Sequence, residues 1–182
     1  MKKIYLTFLL IVFCLFQISA QIRSDETKNG IRTIITKAEN LYTEWNTAAG
    51  FSIKYLYSID FPELENYLIK ITFNEGIICF EKNSEIWFKC ENNEIIKLKT
   101  INEITPYDIV IDGYNYYAYP HYEVTREQIE AIKNGNIQKI RFFTTKGYID
   151  RKINGNKLTK NIQKLLKSID KQKTKQSKNM DF

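Results

Sequence analysis

The amino-acid sequence predicts an α+β domain: a mostly antiparallel meander β-sheet with a short capped helix and a C-terminal amphipathic helix. Three observations predict it. Apolar and polar side chains alternate through the middle of the chain, and tight-turn residues separate the alternating runs. A helix-capping sequence follows these runs. Near the C-terminus, apolar residues recur at helical spacing.

The N-terminus has the layout of a secretory signal peptide. Met1-Lys2-Lys3 precedes an apolar run from Ile4 to Phe16, and the small residues Ser19-Ala20 follow. A retained membrane helix is the alternative, but the run is shorter than the roughly 20 apolar residues that a span needs. We therefore expect residues 1–20 to be removed. The mature chain then begins at Gln21, has no membrane span, and is exported to the periplasm or the medium.

Two extended segments precede the predicted meander. Ile31–Thr36 is rich in β-branched residues, and Phe51–Tyr57 alternates aromatic or branched side chains with smaller ones. The segment between them, residues 38–49, fits a helix as well as a strand.

Four strands of the meander are predicted from Tyr67 onward. Tyr67–Phe73 alternates with period two, and Asn74-Glu75-Gly76 offers a turn. Ile77–Glu81 and Glu85–Cys90 are the next two runs. A two-residue turn at Asn92-Asn93 leads into the fourth, because asparagine tolerates a positive φ.

That turn fixes an expected register. With Asn92-Asn93 as its two central residues, Cys90 pairs with Ile95 and Phe88 pairs with Lys97.

Cys79 and Cys90 are the two cysteines of the mature chain, and an exported protein can form disulfides. A hairpin that turns at Asn83-Ser84 makes them diagonal neighbours, near or beyond the Cα separation limit of roughly 7 Å. A turn centred on Ser84-Glu85 makes them direct partners. The sequence leaves open a disulfide between them and a pair of buried free thiols.

Asp112-Gly113 is a second hairpin signal, with a cluster of tyrosines around it. On the strand that follows, Tyr114 and Tyr116 are expected on one face and Tyr117 and Tyr119 on the other. One face should pack on the core and leave the opposite pair exposed. Tyrosine has a flat apolar face and a polar tip, so these four are the candidate binding residues. The alternative is that they all fill the core.

The C-terminal part contains both predicted helices. Thr125-Arg126-Glu127-Gln128 is a capping box, which predicts a helix from Arg126 to about Lys133. Strands at Ile137–Thr144 and Tyr148–Ile153 follow, and a final helix begins near Lys157. Its apolar stripe consists of Leu158, Ile162, Leu165, Leu166 and Ile169.

The charge is unevenly distributed along the chain. Residues 151–182 contain ten Lys or Arg and two Asp, whereas residues 21–150 contain fifteen basic and nineteen acidic residues. Residues 171–182 carry almost no apolar side chains, so we expect a disordered basic tail after a single domain at residues 21–170.

Several short segments carry a resemblance: Asn66–Leu68, Glu94–Leu98, Tyr122–Ile129, Ile140–Phe142 and Thr145–Asp150. In them the chain resembles a group of small exported proteins of gut-type Bacteroidota. Those proteins share a strand meander, a short capped helix, a hairpin and a final helix. The resemblance covers most of the mature chain and implies export and this fold, and it supplies no catalytic residue.

Few catalytic parts are present. His121 is the only histidine, and it lies beside Pro120 at a strand end with no activating partner in the sequence. The sequence has no Cys-x-x-Cys or His-Glu-x-x-His spacing and no glycine-rich phosphate loop, which predicts no metal and no cofactor. Carboxylates are numerous but none is marked as a catalytic pair; they include Glu63, Glu65, Glu81, Glu91 and Glu94.

These observations favour an exported, non-enzymatic binding or accessory protein of the cell envelope. Its expected partner is a protein or a glycan, and not a nucleic acid, because export removes the usual nucleic-acid targets. Two alternatives stay open. One is an envelope-carbohydrate hydrolase that uses unidentified carboxylates, and the other is a structural subunit of an envelope assembly.

Overall fold

The computed structural model describes residues 21–44, 47–61, 63 and 65–180, with side chains as far as residue 175. The expected signal peptide lies outside these residues. Within them the elements are β1 (Ile22–Lys28), β2 (Ile31–Thr36), β3 (Glu39–Glu44), β4 (Thr47–Ser58), β5 (Glu65–Asn74), β6 (Glu85–Lys89), β7 (Ile95–Lys99), β8 (Val110–Asp112), β9 (Asn115–Ala118), β10 (His121–Val124), α1 (Arg126–Asn134), β11 (Lys139–Thr144), β12 (Gly147–Lys152) and α2 (Gly155–Met180).

The strands form two antiparallel sheets. The large sheet has the order β1-β2-β4-β5-β9-β8, with β3 added on β4 and β10 on β5. The small sheet has the order β12-β11-β6-β7. The predicted α+β class, with mostly antiparallel strands and a C-terminal helix, is confirmed.

One face of each sheet is buried in a common core. On the large sheet Phe73 is buried, and its ring lies edge-on to Phe142 of the small sheet at a centroid distance of 4.6 Å. Both helices close the same core: Ile129 of α1 and Leu165 of α2 are fully buried. Because successive residues of a strand point to opposite faces, each sheet keeps a second face that the helices do not cover. We call it the outer face.

β9 and β10 act as one long strand along β5. Ala118 lies opposite Phe73, and Val124 lies opposite Tyr67 in the same unbroken register. Between them the carbonyl of Pro120 accepts the Ile71 amide at 3.0 Å. Proline has no N–H to return a bond, which divides the strand in two without displacing it.

The predicted four-strand meander does not stay in one sheet. β5 belongs to the large sheet and β6 to the small one. Residues Ile77–Glu81, expected as a strand, contribute only a bridge between Phe80 and Ile104. Gly76 adopts φ +81 and turns the chain out of the sheet. Phe80 is fully buried and packs 5.3 Å from Phe73, so the connection is held by core packing.

The hairpin between β6 and β7 forms, but its register differs by one residue from the prediction. Phe88 lies opposite Ile96, and the Cys90 amide donates to the Glu94 carbonyl at 2.9 Å. The loop therefore has three residues and ends on Asn93, which takes φ +67. Burial explains the choice, because this register puts Phe88 and Ile96 together on the core face.

The capping box of α1 and the apolar stripe of α2 are present as predicted. The Thr125 hydroxyl accepts the Gln128 amide, and the Gln128 side chain accepts the Thr125 amide in return, which confirms the capping box. All five residues of the predicted apolar stripe of α2 are buried.

In the structure α2 continues to Met180, through residues 171–180 where we expected a disordered tail. The extension has partners that the sequence pattern does not show. The Gln172 side chain donates to Asp25 at 2.6 Å, and the Lys173 ammonium lies 3.1 Å from Glu65. Polar contacts with the sheet thus replace the missing apolar stripe. No helix in the described part of the chain is long and apolar enough to cross a membrane.

Candidate functional site

The tyrosine-rich hairpin turns one residue later than predicted. Asp112 pairs with Asn115, so the central residues are Gly113 and Tyr114 rather than Asp112 and Gly113. Gly113 takes φ +59 at the first central position, where a type II′ turn requires a positive φ. The consequence is that Tyr114 leaves the strand and stands at the tip of the hairpin with its side chain 100% exposed.

The four candidate tyrosines lie on two separate surfaces. Tyr114 and Tyr116 line an open cavity of about 550 Å³, together with Asn74 and Glu44. Tyr117 and Tyr119 are half-buried on the outer face of the large sheet, with ring centroids 6.4 Å apart and planes at 15°. The core position of β9 is taken by Ala118 instead. The structure thus brings these tyrosines together only in pairs, and their role in binding stays a prediction.

A second surface, absent from the sequence-based candidates, is the outer face of the small sheet. Its residues come from alternate positions of all four strands. They are Glu85, Trp87, Lys89, Ile95, Lys97, Lys99, Lys139, Arg141, Phe143, Tyr148, Asp150 and Lys152. We call this set the basic platform. Six basic side chains against two acidic ones leave four positive charges uncompensated.

Three aromatic rings cross the basic platform in a row. The centroids of Trp87 and Phe143 are 4.8 Å apart, and those of Phe143 and Tyr148 are 6.4 Å apart. The indole N–H of Trp87 donates to Glu85 at 2.6 Å, which fixes the ring. Tyr148 is 59% exposed at the end of the row. Such rings offer flat apolar contacts at little cost in conformational entropy.

Cations of the basic platform are stacked on these rings. The Lys97 ammonium lies 4.2 Å from the Trp87 centroid, and the Arg141 guanidinium lies 4.0 Å from that of Tyr148. Arg141 is held by a bidentate bond to Asp150, with atoms 2.7 and 2.8 Å apart. This bond, followed by that from Lys139, keeps the pKa of Asp150 well below its usual range. The pair is therefore charged at any ordinary pH.

Four lysines of the basic platform, Lys97 included, have no acidic partner in the described part of the chain. Among the described residues, Lys89, Lys97, Lys99 and Lys152 make no ion pair. All four are exposed. A cavity of about 200 Å³ opens beside Trp87 and is lined by Lys89 and Lys139. The arrangement suits a ligand with flat apolar faces and several negative charges.

Sequence reasoning missed the basic platform because its residues are scattered along the chain. The segment Glu85–Lys89 does show a polar or aromatic residue at every second position, and Ile95–Lys99 shows two lysines at the same spacing. That pattern predicts an outward strand face. It does not show that β11 and β12, fifty residues later, bring Arg141 and Tyr148 to its side.

The remaining candidate residues are dispersed. Cys79 and Cys90 are free thiols. The hairpin that could have joined them does not form: Cys79 precedes Phe80, which makes only a bridge to Ile104, and Cys90 follows the last residue of β6. Burial raises the pKa of the Cys90 thiol, with Glu94 adding to the effect.

The predicted carboxylates do not converge either. Glu65 accepts the Tyr55 hydroxyl at 2.6 Å, Glu91 accepts the Asn136 amide at 2.7 Å, and Glu94 stands at the β6–β7 turn. Glu63 and Glu81 are exposed. Within the described ranges, no three His, Cys, Asp or Glu side chains are grouped as metal ligands.

Comparisons of the chain with protein-family models, with curated proteins and with solved structures find no match.

Proposed function

We propose that the protein is an exported, non-enzymatic binding protein that holds an acidic polysaccharide of the cell envelope on its basic platform. One observation carries the proposal: a row of aromatic rings lies on a β-sheet among lysines that have no acidic partner within the described ranges. A pyranose ring presents a flat face of C–H groups to an aromatic ring, and uronic acid carboxylates suit the lysines. The spacing of successive rings along the sheet favours an extended ligand over a single small molecule.

The charges favour this ligand over a neutral one. Lys97 and Lys99 project from an edge strand, and neither has an acidic partner among the described residues, so both can pair with an incoming anion. Contacts of this kind weaken as salt is added, because the Debye length shortens to roughly 8 Å at physiological ionic strength. Aromatic contacts are insensitive to salt. The binding affinity should therefore fall as salt is added, and the affinity that remains at high salt should depend on Trp87.

The test compares three polymers by isothermal titration: polygalacturonate, neutral dextran and single-stranded DNA. Polygalacturonate should bind and dextran should not. Replacing Lys97 and Lys99 by Gln should weaken polygalacturonate binding about tenfold or more, since each lost charge contact is worth on the order of 1 kcal/mol. The matched control replaces Lys160 and Lys167 of α2, which are exposed lysines elsewhere on the surface.

Two results would contradict the proposal. If the control weakens binding as much as the platform variant, only net charge matters and the basic platform is not a site. If DNA binds more tightly than polygalacturonate at physiological salt, the ligand is a nucleic acid and the polysaccharide is excluded.

The proposed export of the protein is tested by a separate measurement. Mass spectrometry of the natively produced protein should find an N-terminus at or near Gln21. Recovery of a chain that starts at Met1 from the cytoplasm would contradict it.

A second candidate function is the docking of another protein on the β8–β9 hairpin. Val110 and Ile111 are 49% and 65% exposed on an edge strand, beside Tyr107 at 98%. Apolar side chains on a free strand edge suit the addition of a partner strand. A pull-down from envelope extract, with and without Ile111→Ser, measures this function separately from polysaccharide binding.

A further inference from the structure

The outer face of the large sheet carries a second group of cations, far along the chain from the basic platform. Lys70 on β5 lies directly opposite His121 on β10. Lys54 on β4 lies opposite Leu68, which makes it a diagonal neighbour of Lys70 at roughly 7–8 Å between backbones. Arg23 lies at the bulge of β1, and its charge lowers the pKa of Lys70. We call these four residues the cation cluster.

Lys70 is the centre of the cluster and has no counter-ion in the described part of the chain. Its ammonium lies 4.1 Å from the centroid of Tyr119 and is half-buried. Within the described residues, neither Lys70 nor Lys54 nor Arg23 makes an ion pair. A cation that is partly withdrawn from water without a carboxylate is destabilised in its charged form.

The pKa values of Lys70 and His121 are lowered, in agreement with this geometry. Burial lowers the pKa of Lys70, and Arg23 lowers it further. Burial also lowers the pKa of His121, followed by the charges of Lys70 and Lys54. A hydrogen bond to the Tyr119 backbone opposes that shift. Glu123, two residues along the same strand, is the nearest carboxylate in sequence on this face, and it is not bonded to the cluster.

The stacked rings of Tyr117 and Tyr119 border the cluster on one side. The residues opposite them on β5 are Asn74 and, by the same register, Thr72. Ser52, beside Lys70 on β4, is also small. A flat aromatic surface therefore adjoins a concentration of positive charge, and the Lys70 ammonium lies against the ring of Tyr119.

We infer that the cation cluster binds the carboxylate of an acidic sugar, whose pyranose ring lies against Tyr117 and Tyr119. The site is independent of the basic platform, because it lies on the other sheet and shares no residue with it. A bound carboxylate supplies the counter-ion that Lys70 lacks, and the aromatic pair distinguishes a sugar acid from a bare inorganic anion. Lys70 and Arg23 contact the carboxylate of the sugar, and the two tyrosines contact its pyranose ring.

The chain offers an internal reporter, since His121 is its only histidine. The imidazole gives a single set of NMR signals, and its pKa is measured from their shift with pH. Glucuronate in the cluster brings a negative charge next to the imidazole and cancels part of the effect of Lys70 and Lys54. The pKa of His121 should therefore rise when glucuronate saturates the site.

The experiment titrates the mature protein with glucuronate, glucose and inorganic phosphate while recording the His121 signals. Glucuronate should shift them at millimolar concentration, glucose should not, and phosphate should bind more weakly than glucuronate. Lys70→Met keeps an unbranched side chain one atom shorter and removes the charge, and it should weaken glucuronate binding about tenfold, the effect of one lost charged contact. Lys28→Met, an exposed lysine at the far end of the same face, is the control and should bind as the unaltered protein does.

Each opposite result overturns the inference. If Lys70→Met binds glucuronate as well as Lys28→Met does, the cluster is not the site. If phosphate binds as tightly as glucuronate, the tyrosines contribute nothing and no sugar is recognised. A thermal melt of Lys70→Met checks that the variant is folded. Platform variants at Lys97 and Lys99 should leave this titration unchanged, which separates failure here from failure of the polysaccharide proposal.

Discussion

Arg32 and Asp25 form a bidentate ion pair between β1 and β2, and the same pair anchors the C-terminal half of α2. The guanidinium donates to both carboxylate oxygens at 2.7 and 2.6 Å. It also donates to the backbone carbonyl of Gln172 at 3.1 Å, while the Gln172 side chain donates to Asp25. Arg32 is almost fully buried, with 4% of its side chain exposed. A buried charge of this kind is stable only while its partners are present.

The first prediction concerns truncation within α2. A chain that ends at Lys171 loses both Gln172 contacts and the Lys173 ion pair, so its free energy of unfolding should fall by about 1–3 kcal/mol. A chain that ends at Lys175 keeps these contacts and should match the full-length protein. Urea unfolding of the two truncated chains measures the difference. Equal stability would mean that the polar contacts of Gln172 do not hold the helix end.

The second prediction is acid sensitivity. The hydrogen bond from Arg32 is the largest cause that keeps the pKa of Asp25 below its ordinary 3.8, and Gln172 adds to it. A carboxylate whose pKa is lower in the folded state stabilises the fold above the unfolded pKa. That stabilisation is lost as the pH falls below about 4.

The hydrogen bond from Arg141 likewise lowers the pKa of Asp150, so this carboxylate also stabilises the fold less as the pH falls. The urea midpoint should therefore drop steeply between pH 5 and pH 2. In Asp25→Asn the midpoint should be lower at pH 7 and should depend less on pH. An unchanged pH slope in this variant would assign the acid sensitivity to other carboxylates.

The sequence was sufficient for those features that local chemistry determines. The capping box at Thr125 and the alternation of Tyr67–Phe73 each involve neighbours in the chain, and both appear as predicted. The apolar stripe of α2 was predicted correctly for the same reason. The end of α2 could not be predicted locally, because the partners of Gln172 and Lys173 lie on β1, β2 and β5, more than a hundred residues away.

Turn registers and sheet membership were also beyond local reasoning. At Asn92-Asn93 the two possible registers differ by one residue, and burial of Phe88 together with Ile96 chooses between them. At Asp112-Gly113 the turn moves by one residue, which shifts the strand pairing by two and leaves each side chain on its expected face. The basic platform needs the pairing of β6 with β11, which no local pattern encodes. The pairing of Tyr114 with Tyr116 and of Tyr117 with Tyr119 follows the alternation along the strand, whereas the place of Tyr114 at the hairpin tip follows from the position of Gly113 in the turn.

The third prediction concerns Tyr122, whose hydroxyl is buried without a hydrogen-bond partner among the residues that the structure describes. Burial alone raises its pKa far above the ordinary value. Tyr122→Phe removes an unsatisfied polar atom and keeps the ring, so stability should be unchanged or higher. The matched control is Tyr55→Phe, which loses a 2.6 Å bond to Glu65 and should cost about 1 kcal/mol. A loss in Tyr122→Phe equal to that of the control would show that its hydroxyl has a partner.

The last prediction separates the two tyrosine surfaces of the hairpin. Tyr114 and Ile111 lie at or near the tip and are exposed, so replacing both by Ser removes no core contact. Tyr117 and Tyr119 stack on each other, and Tyr119 also contacts Lys70. Replacing this pair by Ser should cost about 0.5–1.5 kcal/mol of aromatic contact. At this size each kcal/mol corresponds to about 2–4 °C in Tm.

The tip variant should therefore melt within about 2 °C of the unaltered protein, and the stack variant a few degrees lower. In binding, the tip variant should lose only protein capture, and the stack variant should lose only the glucuronate response of His121. If the hairpin tip, rather than the stack, contacts the sugar, the tip variant will lose the glucuronate response of His121 and the stack variant will keep it. Unfolding of the tip variant would make Ile111 and Tyr114 part of the fold and would remove the surface on which protein docking depends.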